Sequence, residues 1–491
     1  MLTTMFAENV DPDTAPSGTL LGLLQRGRGD GTLHALAAPR AEALAALHHC
    51  LLHDPRRDWQ LENRSLYYAR LHRDLQAGPA ELEAHLFAPA DRLDQREERT
   101  GLALSVLGHL TSYGDTRARD LLRRYAAEGT NWQWALDELA VRDDDDALRA
   151  LGPRTLERFP RTPEGDAQLA TALREAYEPR PWRLWEEDER HPEQRARLAA
   201  VRETQSFDRW SRQLRTPGPR PGWSVGEVLE WAGQTPHDPS PQADPVLLRR
   251  AREAAAARCL GAVAGPEDRA ELLAAADRGP DAARGAALRH LAERDDPAVL
   301  DLIEAACLTA PAAVAEAART AFARMRGPAA LRRSRRWADG EDELATEAAV
   351  MLARRGGAQD TAQVLGALRR IVRSEGPDAP CLPALVDGAE RLAIECAAPV
   401  LRHLYRETAS SQLRGRTAAA LAATDPKFAA GFAVECLWDC EESTRELAAR
   451  VATTGDARVV ERLRRLAADP AEEAGVQSAI RGRLRPHPSH G

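Results

Sequence analysis

Paired alanines stand at Ala255–Ala256, Ala286–Ala287, Ala317–Ala318 and Ala348–Ala349, each pair 31 residues after the last (286−255, 317−286, 348−317). Prolines hold the same step at Pro266, Pro297 and Pro328 (297−266, 328−297). A fixed period of about 30 residues marks a stacked repeat, in which each unit buries its apolar face against its neighbours. Such a pattern excludes a single layered core over this stretch. It constrains architecture far more than task.

The unit from Gly285 to Leu308 shows the physics. Ala287, Leu288, Leu291 and Ala292 recur at helical spacing and form one apolar stripe. Asp295-Asp296-Pro297 stops that helix, because the residue before a proline is pushed out of the α region and proline suits a helix start. Val299, Leu300, Ile303, Ala306 and Cys307 then share one face of a second helix. In the next unit Phe322 takes the place of Leu291, and the alanines persist.

The Ala-Ala pair, the Asp-Pro or Gly-Pro turn and the leucine-rich second helix resemble the HEAT repeat, most closely its short bacterial form first described in phycobilin lyases. The resemblance is fullest over Val246–Asp342, extends to Arg485 and thins in the N-terminal third. It implies an all-α fold, an α-solenoid of stacked antiparallel helix pairs, interrupted here by an irregular Pro/Trp-rich middle segment. It also implies two activities known on such folds, bilin-lyase-like chemistry and nucleic-acid-directed repair of the DNA alkylation-repair glycosylase type. No pocket residues for a bilin lyase can be named.

Composition agrees with small helix–helix contacts. Of 491 residues 43% are hydrophobic and only 5% aromatic, which suits an alanine- and leucine-rich helical core better than a β-sandwich. The formal net charge of −8 argues against general nucleic-acid binding. Lys427 is the one lysine, so arginine supplies the other basic residues. The skew is consistent with a GC-rich genome. MLTTMFAENVDPDTAPSG lacks a basic leader before an apolar core, and no apolar run reaches the ~20 residues that span a bilayer. Seven cysteines without such a leader read as reduced thiols of a cytoplasmic protein.

Five segments are expected. Residues 1–30 form a flexible N-terminal tail, containing the glycine connector Arg26-Gly27-Arg28-Gly29-Asp30-Gly31. HEAT-like helical units occupy 31–160, a Pro/Trp-rich connecting segment 161–245, the repeat array 246–485, and a disordered tail 486–491. Within 31–160, Ala103 aligns with Ala135 and Leu107 with Leu139, a step of 32 (135−103, 139−107). Within 161–245, helices are expected at Pro163–Tyr177, Pro192–Leu214 and Ser224–Gly233. The five tryptophans Trp182, Trp185, Trp210, Trp223 and Trp231 are expected to pack rather than to anchor a partner.

Several sharper motifs give way to plainer readings. Gly222-Trp223-Ser224-Val225-Gly226 matches a nucleophile elbow, but that motif needs an entering strand. Thr216-Pro217-Gly218-Pro219-Arg220-Pro221 is no central strand. Ser224 with Glu227 reads instead as a capping box. His49 and His53 lie four apart without a third ligand, so no metal is assigned. The run Asp143–Asp146 lacks the glycine and glutamate of a calcium loop and complements a helix start. Phe428, Phe432, Cys436 and Cys440 read as the core stripe of one helix.

Two constellations remain. Arg332, Arg333, Arg335, Arg336 and Trp337 form either an anion-facing partner surface or a solvated face paired with Glu341, Asp342, Glu343 and Glu347. Trp132, Trp134 and Asp137 are the candidates for a nucleotide site, Trp134 and Asp137 being close enough on a helix to share a face. The expected function is a non-enzymatic scaffold or adaptor that binds protein partners through a preformed curved surface. No cofactor and no membrane are expected, and nucleic acid is the contrasting partner.

Overall fold

The computed structural model describes residues 14–58, 60–93, 96–213, 222–234 and 245–484, with the backbone alone for 203–213 and 245. Every regular element among the described residues is helical. None of these helices is long and apolar enough to cross a membrane. The chain divides into two compact units, one of residues 215–400 and one of 1–214 together with 401–491. The periodic stretch 246–485 thus contributes to both.

The two-segment unit opens with α1 (Leu20–Gln25), α2 (Gly29–Ala37), α3 (Arg40–Leu52), α4 (Ser65–Asp74) and α5 (Ala80–Leu86). The tail expected over 1–30 is corrected from residue 14 onward. Thr19 caps α1 by accepting the Gly22 N–H at 3.0 Å, and Leu23 and Leu24 are buried. Residues 1–13 and the 486–491 tail lie outside the described residues. Next come α6 (Gly101–Ser112), α7 (Thr116–Glu128), α8 (Trp132–Arg142) and α9 (Asp145–Glu157). Gly114, at φ +86°, turns the chain into α7, which Asp115 caps through the Arg117 and Ala118 N–H groups. The acidic run opens α9 in the same way. Asp144 accepts the Ala147 N–H at 2.8 Å, while buried Asp143 is forked by Arg123 at 2.7 and 2.6 Å.

The Pro/Trp-rich stretch supplies α10 (Pro163–Glu175), α11 (Arg180–Glu186) and α12 (Pro192–Gln213) to this unit. Trp182 and Trp185 are buried and meet edge to face, with centroids 4.9 Å apart. The Trp185 indole donates to the Leu148 carbonyl at 2.8 Å and lies against Gly152, where a Cβ would come within 2.9 Å of the ring. The Trp210 side chain and residues 214–221 fall outside what is described. Trp185→Ala should cost about 3–5 kcal/mol, since it removes a large buried ring and a paired indole N–H. Urea unfolding would measure it; a loss below ~1 kcal/mol would show that the ring does not hold α11 to α9.

The unit of residues 215–400 contains α13 (Val225–Gly233), α14 (Pro245–Val263), α15 (Arg269–Arg278), α16 (Asp281–Glu293) and α17 (Val299–Thr309). It continues with α18 (Ala312–Arg324), α19 (Pro328–Trp337), α20 (Glu343–Arg355), α21 (Thr361–Ser374) and α22 (Leu382–Arg391). Ser224 and Glu227 form the expected capping box of α13. The period appears directly in the coordinates. α16, α18 and α20 are each 13 residues long and start 31 apart (312−281, 343−312). Ala256, Ala286, Ala287, Ala318, Ala348 and Ala349 are buried, which lets α16 pack closely between α14 and α18. Leu291 and Phe322 are buried at equivalent places.

Arginines join successive turns. Arg294 donates to the Ala264 carbonyl at 3.2 Å, Arg355 to Met325 at 3.2 Å, and Arg391 to Ala353 at 2.8 Å. Each guanidinium thereby satisfies a carbonyl left open near the end of an earlier helix, where the macrodipole also favours a cation. Asp295, at φ +55°, accepts the Arg326 and Gly327 N–H groups at 2.5 and 2.6 Å, just ahead of α19.

The remaining helices are α23 (Ala398–Glu407), α24 (Ser411–Thr424), α25 (Phe432–Cys436), α26 (Glu442–Val451), α27 (Ala457–Ala468) and α28 (Ala474–Leu484). Phe428–Cys440 is not one helix, as the spacing of four suggested. A short 3-10 turn at Phe428–Ala430 ends at Gly431, α25 stops at Cys436, and Cys440 follows it. From Leu401 these residues pack with the start of the chain in one unit. The join is polar and buried. Cys440 N–H donates to Gly27 O at 2.9 Å, and Arg64 donates to Ala409 O at 2.7 Å. Arg70 pairs with Asp469 at 2.8 Å and with Glu472 at 3.0 Å. The glycines of Gly27–Gly31 are more than a connector. A Cβ at Gly27 would lie 2.4 Å from Cys440 Sγ, and one at Gly29 would lie 2.0 Å from the Glu435 carbonyl oxygen.

Candidate partner-binding surfaces

The arginine constellation sits on α19, whose sequence Pro-Ala-Ala-Leu-Arg-Arg-Ser-Arg-Arg-Trp begins with proline at the first helical position. Its arginines divide by face. Arg333 reaches Asp301 at 2.6 Å and Glu304 at 2.9 Å, both on α17, and lies 5.3 Å from the Trp337 ring centroid. Arg335 forks onto Asp360 at 2.7 and 3.1 Å. That hydrogen bond, aided by the Gly357 N–H, holds the buried Asp360 carboxyl below its usual range. The acids that take these two arginines are thus Asp301, Glu304 and Asp360, not the nearby Glu341, Asp342, Glu343 and Glu347. Asp342 instead caps α20, and Glu343 pairs with Arg319 at 2.6 Å.

Arg332 and Arg336 remain exposed on α19. Trp337 is half-buried, edge to face with Phe322 at 5.0 Å. Arg336 and Trp337 line a groove of about 380 Å³ with Leu308, Arg319 and Leu344. Leu308 is 72% exposed. Burial pushes the thiol of Cys307, in the same wall, up to about 11, which disfavours its thiolate. The groove therefore sets Trp337, Leu308 and Leu344 beside the exposed Arg336 guanidinium, with Glu304, Asp342 and Glu343 also in its walls.

The other constellation comes apart. Trp134 donates to Ser105 Oγ at 2.8 Å and lies over Gly101, where a Cβ would come within 2.8 Å of its ring. Asp137 turns elsewhere and accepts the Glu178 N–H at 3.1 Å; burial pushes its carboxyl up to about 6. Trp132 meets Phe159 and Trp182 edge to face at 5.9 and 6.2 Å. Of the three, Trp132 alone lines the groove of about 450 Å³ between α8 and α10, beside Gln133, Phe159 and Gln168. The structure does not bring Trp134 and Asp137 together around a common space. Spacing on one helix placed them three apart but could not give the neighbours, Ser105 and Glu178, that claim each side chain.

His49 and His53 stack on each other with centroids 4.7 Å apart. Among the described residues no group of three or more His, Cys, Asp or Glu side chains is arranged to hold a metal ion. All seven cysteines are free. No family model matches this chain, and neither the curated proteins nor the solved structures give a match.

Proposed function

We propose that this chain is a HEAT-like α-solenoid that works as a cytoplasmic, non-enzymatic scaffold for protein partners. The repeat architecture is supported by three 13-residue helices set 31 apart, with arginine-to-carbonyl bonds from the end of α16 to the end of α14 and from α20 to the end of α18. Free cysteines fit a reducing compartment. The binding role rests on one observation above all, the groove where exposed Leu308 and half-buried Trp337 flank Arg336. Tryptophan and arginine are among the residue types that dominate interface energetics. A rigid helical surface loses little conformational entropy on binding.

The test is affinity capture of the tagged full chain from its native lysate, with and without nuclease, for wild type, Trp337→Ala and Arg336→Glu. A discrete protein should survive nuclease, and each substitution should weaken its capture about tenfold or more, as loss of an interface anchor does. Capture that vanishes on digestion, with both variants retaining wild-type recovery, would overturn the scaffold reading in favour of a nucleic-acid partner.

A further inference from the structure

A third groove, of about 440 Å³, crosses α14, α16 and α18 and is lined by four arginines: Arg249, Arg250, Arg289 and Arg324. Small residues, including Ala313 and Ala317, line its floor, and Gly285 lies under Glu253 and Ala317. The carboxylates nearby are too few to occupy the guanidinium groups. Arg249 and Arg250 share Glu316, Arg249 also pairs with Glu253 at 3.5 Å, and Arg289 and Arg324 share Glu293 at 2.9 and 3.6 Å, so three carboxylates serve four guanidinium groups. The buried Nε–H of Arg249 has no hydrogen-bond acceptor; the closest carboxylate oxygen, on Glu253, is 3.5 Å away. Burial pushes the Glu253 carboxyl up, against the opposing pull of Arg249. One turn before Arg250, Leu247 is 60% exposed, and Val246 beside it is 43% exposed.

We infer that this groove binds an acidic peptide segment of a partner protein, its carboxylates taken by Arg249, Arg250 and Arg324 and an apolar side chain resting on Val246 and Leu247. Arginine suits the task because its fork accepts a carboxylate through two parallel hydrogen bonds. Nucleic acid fits less well. Each strand carries a phosphate about every 3.4 Å and could not avoid Glu253 and Glu316, whereas a peptide spaces its charges. The inference does not depend on the Trp337 groove, and a purified probe tests it without any lysate partner.

The probe is a fluorescein-labelled dodecapeptide of alternating glutamate and leucine, titrated with the purified full chain and read by fluorescence anisotropy. A lysine–leucine dodecapeptide and a twelve-residue oligothymidylate serve as comparison probes. The acidic peptide should bind saturably and more tightly than either, and added salt should weaken it. Arg250→Glu/Arg324→Glu should weaken binding about tenfold or more, as loss of paired charge contacts does. Arg278→Glu, a single charge reversal at an exposed site on α15, should leave it within about twofold. Circular dichroism checks folding, and Arg250→Gln/Arg324→Gln gives a milder second variant. Equal binding of wild type and both double variants, equal losses in Arg278→Glu, or preference for the oligothymidylate would each overturn the assignment.

Discussion

Replacing Arg414 by methionine should destabilise the two-segment unit by about 3–5 kcal/mol, because it leaves a buried carboxylate without its counter-ion. Arg414 and Asp439 are both fully buried and meet through 2.7 and 2.9 Å hydrogen bonds. Burial alone would lower the guanidinium pKa, yet Asp439 holds it well above the usual value. Arg414 Nη2 also reaches Cys440 Sγ at 3.2 Å and Gly27 O at 3.4 Å, so the pair lies where the two segments join. Asp439 keeps one local partner after the change, the Glu441 N–H at 2.9 Å. Asp439→Asn preserves that acceptor and removes the charge. The double variant Arg414→Met/Asp439→Asn should therefore regain a large part of the loss. Urea unfolding followed by circular dichroism measures the cycle. Equal stability of the single and double variants would show that the stranded charge is not what destabilises the single one.

The same junction explains what the sequence could and could not reveal. Period and alanine pairing are local properties of residues 255–349, and α16, α18 and α20 carry them with identical lengths. Caps are local as well, and Ser224 with Glu227 behaves as its spacing predicts. Outside the run Arg332–Arg336, arginine is visible in the sequence only as a number. Its meaning lies in partners 25 to 30 residues away, such as Asp360 for Arg335 and Ala264 for Arg294. The longest-range partners were the least legible. Nothing in Gly27 and Gly29 signals that residues 435–440 lie against them, or that Arg70 is matched to Asp469 and Glu472. The α19 groove was half legible: its arginines stand in one sequence run, but which of them face solvent depends on α17 and on the turn at Asp360.

Acid should loosen the two-segment unit in two stages, through His109 first and Glu472 second. His109 is hydrogen-bonded to Ser65 Oγ at 3.0 Å, and burial, with Arg142 and Arg70 nearby, pushes its pKa down from 6.5 to about 4. The folded state keeps this ring neutral while the unfolded chain takes up a proton below pH 6.5. Stability is therefore complete above 6.5 and falls as the pH drops to about 4. Burial opposes ionisation of Glu472, but Arg445 at 2.8 Å and Arg70 at 3.0 Å hold its pKa at about 2, against 4.5 unfolded. Its contribution is present above 4.5 and is lost between there and about 2. Each shift corresponds to roughly 3 kcal/mol at most. Asp137 acts in the opposite sense, since its folded carboxyl binds a proton near pH 6 while the unfolded one waits until 3.8. The groups are separated by substitution. His109→Gln should flatten the stability profile between pH 6.5 and 4, and Glu472→Gln should lower stability at pH 7 while removing the fall below 4.5. Thermal unfolding at half-unit pH steps measures both. A wild-type profile that stays level from pH 6.5 to 4 and is unchanged by His109→Gln would show that protonation of the buried ring does not couple to folding.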